Sequence, residues 1–490
     1  MSDYVPKRRT AVVLAGSGTS GAYLAGVLKA LDESGTKVDL LVGSGSGAIA
    51  AAYGAVAGGP KLYGPGGFWD GISTAAVLRL RPALRAVLLI LAVTAAVFLA
   101  PLLVALLAGV AFPFALLSDV VAPGLVSRLL AEYWPPGDSL RTAYLVGLAT
   151  PAFALAALGC GYLGVSYLRD RRRFAEGLES PLDPSPGRDR LARGLWEISR
   201  GSAVSVGAPG PAEIGRRYVA LASENLGQPG FRELIVRAAD LETGDSLAFV
   251  LLEDGPRARF LKARSRGSRS APGGPPGVVD LRQAGHDALF FEAVASGLLP
   301  PGATPLGRLC FPKGGPHAGE THRLTDAALV AGCGIAEALA AGAEQVIVVT
   351  AMPERASLPL RRRGARATVE GVAATLERQT VESDLRAAER INRMVATLGH
   401  ATTEGRRAWE DPATGRQYRE FGLYLIRPPR RGLGPLEFDG AEHPGTEVQE
   451  TLLDLLEQGY HDAYRLFIEP VLGAAPAPHR EEEMEEGVRL

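Results

Sequence analysis

The chain has 490 residues, with 52 Lys and Arg against 53 Asp and Glu and a formal net charge of −1. That balance implies no basic surface of the kind nucleic-acid binders show. Three cysteines, Cys160, Cys310 and Cys333, are spaced too widely for a disulfide framework or a cysteine metal site, which suits a reducing compartment.

The first ten residues, MSDYVPKRRT, have no apolar stretch and are not expected to act as a signal peptide. Thr10 to Ala15 reads as a buried strand. A turn with Gly16, Gly18 and Gly21 then leads into a helix whose Leu24, Val27, Leu28 and Leu31 follow the i, i+3, i+4, i+7 rule until Gly35 ends it. Gly16-x-Gly18-x-x-Gly21 satisfies a dinucleotide fingerprint literally. The acid required after the second strand is missing, however, because Asp39 precedes LLVG instead of following it. No Gly-Lys-Ser/Thr end is present, so a P-loop is excluded and no nucleotide is expected. The remaining use of such a turn is an oxyanion hole, built here from the backbone of Gly16, Ser17 and Gly18 at a helix N-terminus.

The next strand arrives at LLVGSGSGAIAAA, Leu40 to Ala52, the layout of a strand, a tight turn and a helix that presents a nucleophile on G-x-S-x-G. Counted from Gly43 to Gly47, the centre is Gly45. Ser46 has small residues two places before and after it, Ser44 and Ala48, whereas Ser44 has Val42 before it, so Ser46 is the serine that could stand in. In a parallel sheet the ends of adjacent strands face one crevice, which brings the two glycine-rich turns together.

Two apolar runs follow, Ala86 to Ser118 and Thr142 to Leu168, each longer than the 20 or so residues needed to cross about 30 Å of hydrocarbon. Arg79, Arg81 and Arg85 precede the first, and Arg169, Arg171, Arg172 and Arg173 follow the second. The positive-inside rule then predicts a membrane hairpin over 80–173, with helices at about 86–108 and 143–168 and everything outside it on the cytoplasmic side.

Several segments resemble the patatin-like phospholipases. LAGSGTSGAYLAGVLKAL resembles the family's glycine-rich oxyanion segment and first helix, and VGSGSGA stands at its G-x-S-x-G elbow. RAADLETGDSLAF resembles its strand-turn-strand with T-D-L-x-T-G, and EAVASGLLPPGATP its A-S-x-A-x-P stretch. TDAALVAGCGIAEAL resembles the segment with the catalytic aspartate, EQVIVVT the strand after it, and ESDLRAAERINRM its late helix. The resemblance implies an α/β fold with a central, mostly parallel sheet flanked by helices. It divides the chain into an N-terminal part at 8–75, the hairpin, a C-terminal part at 195–400 and an extension with an acidic tail at 401–490. It also implies a membrane-anchored lipid acyl hydrolase, acting on phospholipid-type esters with a Ser-Asp dyad and without metal or cofactor. Asp326 matches the aspartate.

The departures lie close to the chemistry. Gly45 stands at the nucleophile, Ser17 at the family's middle glycine, Ser20 at its basic residue, and Asp326-Ala327-Ala328 at D-G-G/A. A glycine cannot form an acyl-enzyme, so hydrolysis would require Ser46 to act with Asp326. The alternative is a catalytically inactive protein that binds membrane lipids or serves as a scaffold at the inner membrane face. His317 and His322, near Asp326 in sequence, invite a Ser-His-Asp triad but read as loop residues. The basic stretches RSRGSR and RRRGAR read as solvated surface, or as a lure for anionic headgroups if they face a bilayer.

Overall fold

Strand β1 (Thr10–Gly16) and strand β2 (Leu40–Gly45) are buried at every residue, as expected of short apolar strands covered on both faces. In this computed structural model the described residues are 4–473, apart from 83, 98, 100–105, 107–109, 111–149, 170–179, 202–206, 266–276, 314–316, 354–364, 402–406, 412–416, 431–432 and 443–448. The chain divides into two compact units, Met1–Arg79 with Pro184–Leu490, and Leu80–Asp183.

In the first unit β1 and β2 are joined by β3 (Glu233–Asp240), β4 (Ser246–Leu251), β5 (Val278–Asp280), β6 (Gly307–Cys310), β7 (Thr321–Asp326), β8 (Gln345–Thr350) and β9 (Gly422–Ile426). They form one sheet in the order β9-β8-β1-β2-β3-β4-β5, with β7 pairing β3 and β6. The five strands from β9 to β3 run parallel, β4 runs antiparallel to β3, and β5 runs parallel to β4. The residues beyond 400 therefore supply a strand of the main sheet.

Helix α1 (Ser20–Glu33) follows β1, and α2 (Ser46–Gly54) follows β2. Tyr218 of α3 (Pro211–Asn225) donates a 2.5 Å hydrogen bond to the Ala52 carbonyl of α2 and stacks on Phe290. Val13, Val42, Ile235 and Val348 share one buried cluster with Val381, Leu385 and Ala388 of α4 (Ala365–Leu398), so this long helix covers one face of the sheet. α1 packs against α5 (Leu452–Ala463), which begins with a capping box between Thr451 and Asp454. A Cβ at Gly26 would overlap the Leu456 carbonyl oxygen, and one at Gly459 would overlap that of Tyr23, so two glycines set how closely these helices approach.

The register of β3 places the aspartate. β2 pairs with β3 as far as Ser44↔Arg237, and at the next residue β7 takes over the same edge, with Ala238↔Asp326 antiparallel. Asp326 thus arrives at the C-terminal end of β2, beside Gly45.

In the second unit, helical residues run over 84–97 and Thr150–Arg169. They meet at Gly159, where a Cβ would lie 2.8 Å from Ile90 Cδ1. Among the described residues no helix is long and apolar enough to cross a membrane. The spanning pair expected over 86–108 and 143–168 is therefore not found there. Residues 100–105, 107–108 and 143–149 of the expected spans lie outside the described residues.

Candidate functional site

The corner between β2 and α2 has the backbone of a nucleophile turn, with φ +63° and ψ −134° at Gly45. Its neighbours leave no room for side chains. A Cβ at Gly43 would sit 2.5 Å from Ala48 Cα, and one at Gly47 would overlap the Leu14 carbonyl oxygen. The two positions that must be small are thus Gly43 and Gly47, and the residue between them in the strained conformation is Gly45. A one-residue shift that centres the turn on Ser46 is not what the chain adopts.

The space over Gly45 is filled. A Cβ there would overlap the Gly16 carbonyl oxygen, lie 2.5 Å from Asp326 Oδ1 and lie 2.8 Å from Ala328 Cβ. Asp326 is fully buried and accepts two hydrogen bonds: Ser17 Oγ donates to Oδ2 at 2.6 Å, and the Ala328 N–H donates to Oδ1 at 2.8 Å. Burial pushes its carboxyl up to about 7, against the opposing pull of the Ser17 hydroxyl and the Ala328 amide. The carboxylate occupies the volume that a serine side chain at position 45 would need.

Neither elbow serine meets the aspartate. Ser46 is fully buried, and its hydroxyl donates to the Gly16 carbonyl at 2.9 Å. As the first residue of α2, it is turned back onto the end of β1. Ser44 donates to the Cys333 carbonyl at 3.2 Å. The expected Ser46–Asp326 dyad is therefore replaced by a Ser17–Asp326 pair, with its serine on the glycine-rich turn.

Two backbone donors of that turn, those of Ser17 and Thr19, are engaged within the protein. The Ser17 N–H donates to Glu377 Oε1 at 3.3 Å, placing a buried carboxyl group of α4 where an oxyanion would develop. Gly18, at φ +55°, lies so close to Pro435 that a Cβ would overlap its carbonyl oxygen. Thr19 fastens the same segment, its N–H donating to Pro435 O at 3.1 Å and its hydroxyl to Gly434 O at 2.6 Å. Gly434 in turn donates its N–H to Glu437 Oε2 at 2.7 Å. The oxyanion role expected of Gly16, Ser17 and Gly18 is thus opposed by Glu377 on one side and by the 434–437 segment on the other. Sequence reasoning missed Glu377 and Pro435. Neither belongs to a local motif, and only the fold brings residues 360 and more positions away onto this turn.

The two histidines, read as loop residues, differ in placement: His317 lies in a turn, and His322 lies in a strand. His322 stands near the start of β7, four residues or roughly 13 Å along the strand from Asp326. Its Nδ1 lies 2.6 Å from Asp240 Oδ2, and its Nε2 3.0 Å from Glu320 Oε2. Of the two basic stretches, Arg264 pairs with buried Glu337, while 266–269 and 361–364 lie outside the described residues.

No family model matches the chain, and no curated protein matches it. Among solved structures, VipD from Legionella pneumophila is similar at 12% sequence identity over 94% of this chain and 67% of that chain, with a TM-score of 0.33.

Proposed function

We propose that the chain is a patatin-like protein in fold whose acyl-transfer crevice is closed, and that it acts at a membrane face as a lipid-binding or scaffold protein without hydrolysing esters. The observation that carries this reading is the placement of the Asp326 carboxylate and the Gly16 carbonyl in the volume of the nucleophile side chain at Gly45. A buried Ser46 hydroxyl held by Gly16 and a Glu377 carboxyl group on the Ser17 amide support it. Acyl transfer needs a donor aimed at developing negative charge, and a carboxylate there works against it. The membrane part of the reading is supported by exposed apolar side chains on the helices of the second unit, including Leu91, Leu99, Phe153, Leu158 and Leu168.

A second reading rests on one distance. Ser17 Oγ, 2.6 Å from Asp326 Oδ2, has the spacing of a nucleophile and its base, so a hydrolase using Ser17 is the specific competitor. The experiment measures release of fatty acid from phospholipid vesicles and from a short-chain ester by the full chain, alongside Ser17→Ala and Ser46→Ala. We expect all three proteins to stay at the buffer rate while the wild type co-sediments with the vesicles. Turnover lost in Ser17→Ala establishes the second reading instead, and turnover lost only in Ser46→Ala restores the elbow serine.

A further inference from the structure

We propose that His317, Glu320 and His322 form a binding site for a divalent transition-metal ion of the Zn²⁺ class, with Asp240 orienting His322 from behind. The site lies at the opposite end of β7 from Asp326, and the proposal does not depend on whether the chain hydrolyses anything. One donor atom from each of the three residues lies within 4.8 Å of one from each of the others. Two imidazoles converge on a single carboxylate oxygen, Glu320 Oε2, with His322 Nε2 at 3.0 Å and His317 Nδ1 at 3.4 Å. Bonds of about 2.1 Å at a tetrahedral angle separate neighbouring ligand atoms by about 3.4 Å, so little movement is needed to admit an ion.

Hydrogen-bond chemistry gives the direction. Asp240 is fixed by the Glu242 N–H at 2.9 Å and the Thr243 hydroxyl at 2.8 Å, and it faces His322 Nδ1 at 2.6 Å. A carboxylate in that position holds the proton on Nδ1 and leaves the lone pair of a neutral ring on Nε2, the arrangement that tunes metal-bound histidines. That lone pair then points at a carboxylate oxygen 3.0 Å away, and two acceptors at that distance require a cation between them or a proton on the ring. Phe311 packs against both imidazoles, with ring centroids 5.0 and 5.1 Å away, and walls one side of the cluster. The Glu320 side chain is 61% exposed, which leaves an entry path and a fourth position for water. Two imidazoles and one carboxylate, with no thiolate, suit Zn²⁺ or Co²⁺ better than Mg²⁺ or Ca²⁺.

The test uses the full-length protein, stripped with chelator, and Zn²⁺ in competition with a chromophoric chelator, with Co²⁺ as a spectroscopic probe. The wild type is expected to bind one equivalent, to give a tetrahedral Co²⁺ spectrum, and to gain thermal stability with added Zn²⁺. Glu320→Gln and His317→Ala, which alter less buried side chains, should each lose the Co²⁺ spectrum and the Zn²⁺-dependent rise in Tm while keeping the wild-type circular dichroism. Asp240→Asn should weaken binding by about 10–100-fold, the effect of losing a carboxylate behind a ligating histidine. Failure of the wild type to bind an equivalent overturns the proposal, as does binding that Glu320→Gln and His317→Ala leave unchanged.

Discussion

Gly45→Ser, the substitution that writes G-x-S-x-G back into the chain, is expected to destabilise the protein by about 4 kcal/mol and to restore no ester hydrolysis. Two costs add. A non-glycine residue at φ +63°, ψ −134° carries about 1–3 kcal/mol of backbone strain. A new Cβ that overlaps Gly16 O and crowds Asp326 Oδ1 and Ala328 Cβ adds overpacking of about 1–3 kcal/mol. A working nucleophile turn bears the same strain, but it offers the side chain a space that Asp326 fills here. Urea denaturation of the two proteins checks this: the midpoint should fall at unchanged slope. A Gly45→Ser protein as stable as the wild type would mean that the crevice opens readily.

Asp326→Asn should stabilise the protein at alkaline pH and abolish one component of its pH dependence. Burial pushes the native carboxyl up to about 7, against an ordinary value near 3.8. Between those values the native state holds a proton that the unfolded chain has released, so the stability contributed by this group falls as pH rises from about 4 to about 7 and is flat above. The full span of about three pKa units corresponds to about 4 kcal/mol. Asparagine is neutral throughout, can accept from the Ala328 N–H and can donate to the Ser17 hydroxyl. The stability of Asp326→Asn relative to wild type should therefore grow by about that amount between pH 4 and pH 8, read by urea unfolding at each pH. A difference independent of pH would show that Asp326 is ionised in the folded state with a partner that offsets its burial.

The parts of the fold legible in the sequence are those written in contiguous residues. The run TAVVLAG and the spacing of Leu24, Leu28 and Leu31 announce β1 and α1. The alternation of Gly43, Gly45 and Gly47 announces a turn in which three backbone positions tolerate no side chain. Asp326 is singled out only by the family resemblance, and β7 delivers it to the end of β2. The partner of Asp326 is not legible. Ser46 looks available on paper, but its place in the first turn of α2 turns its hydroxyl to Gly16, and Ser17 takes the aspartate instead. Nothing local in LERQTVESDL marks Glu377 as the group that receives the Ser17 amide. Likewise GPLEF carries no sign that its Pro435 carbonyl lies on Gly18. His317 and His322 read as loop residues, whereas the register of β3 and β7 sets His322 in a strand and on Asp240. The long apolar runs are legible as hydropathy, but among the described residues no helix is long and apolar enough to cross a membrane, and 100–105, 107–109 and 111–149 lie outside those residues.

The central claim, that no serine of the crevice is an activated nucleophile, is tested most directly by exposing the full-length protein to a fluorophosphonate probe and measuring its intact mass. The closed crevice predicts no adduct on the wild type after an exposure that fully labels an active serine hydrolase control. A stoichiometric adduct that maps to Ser17 or Ser46 would contradict it.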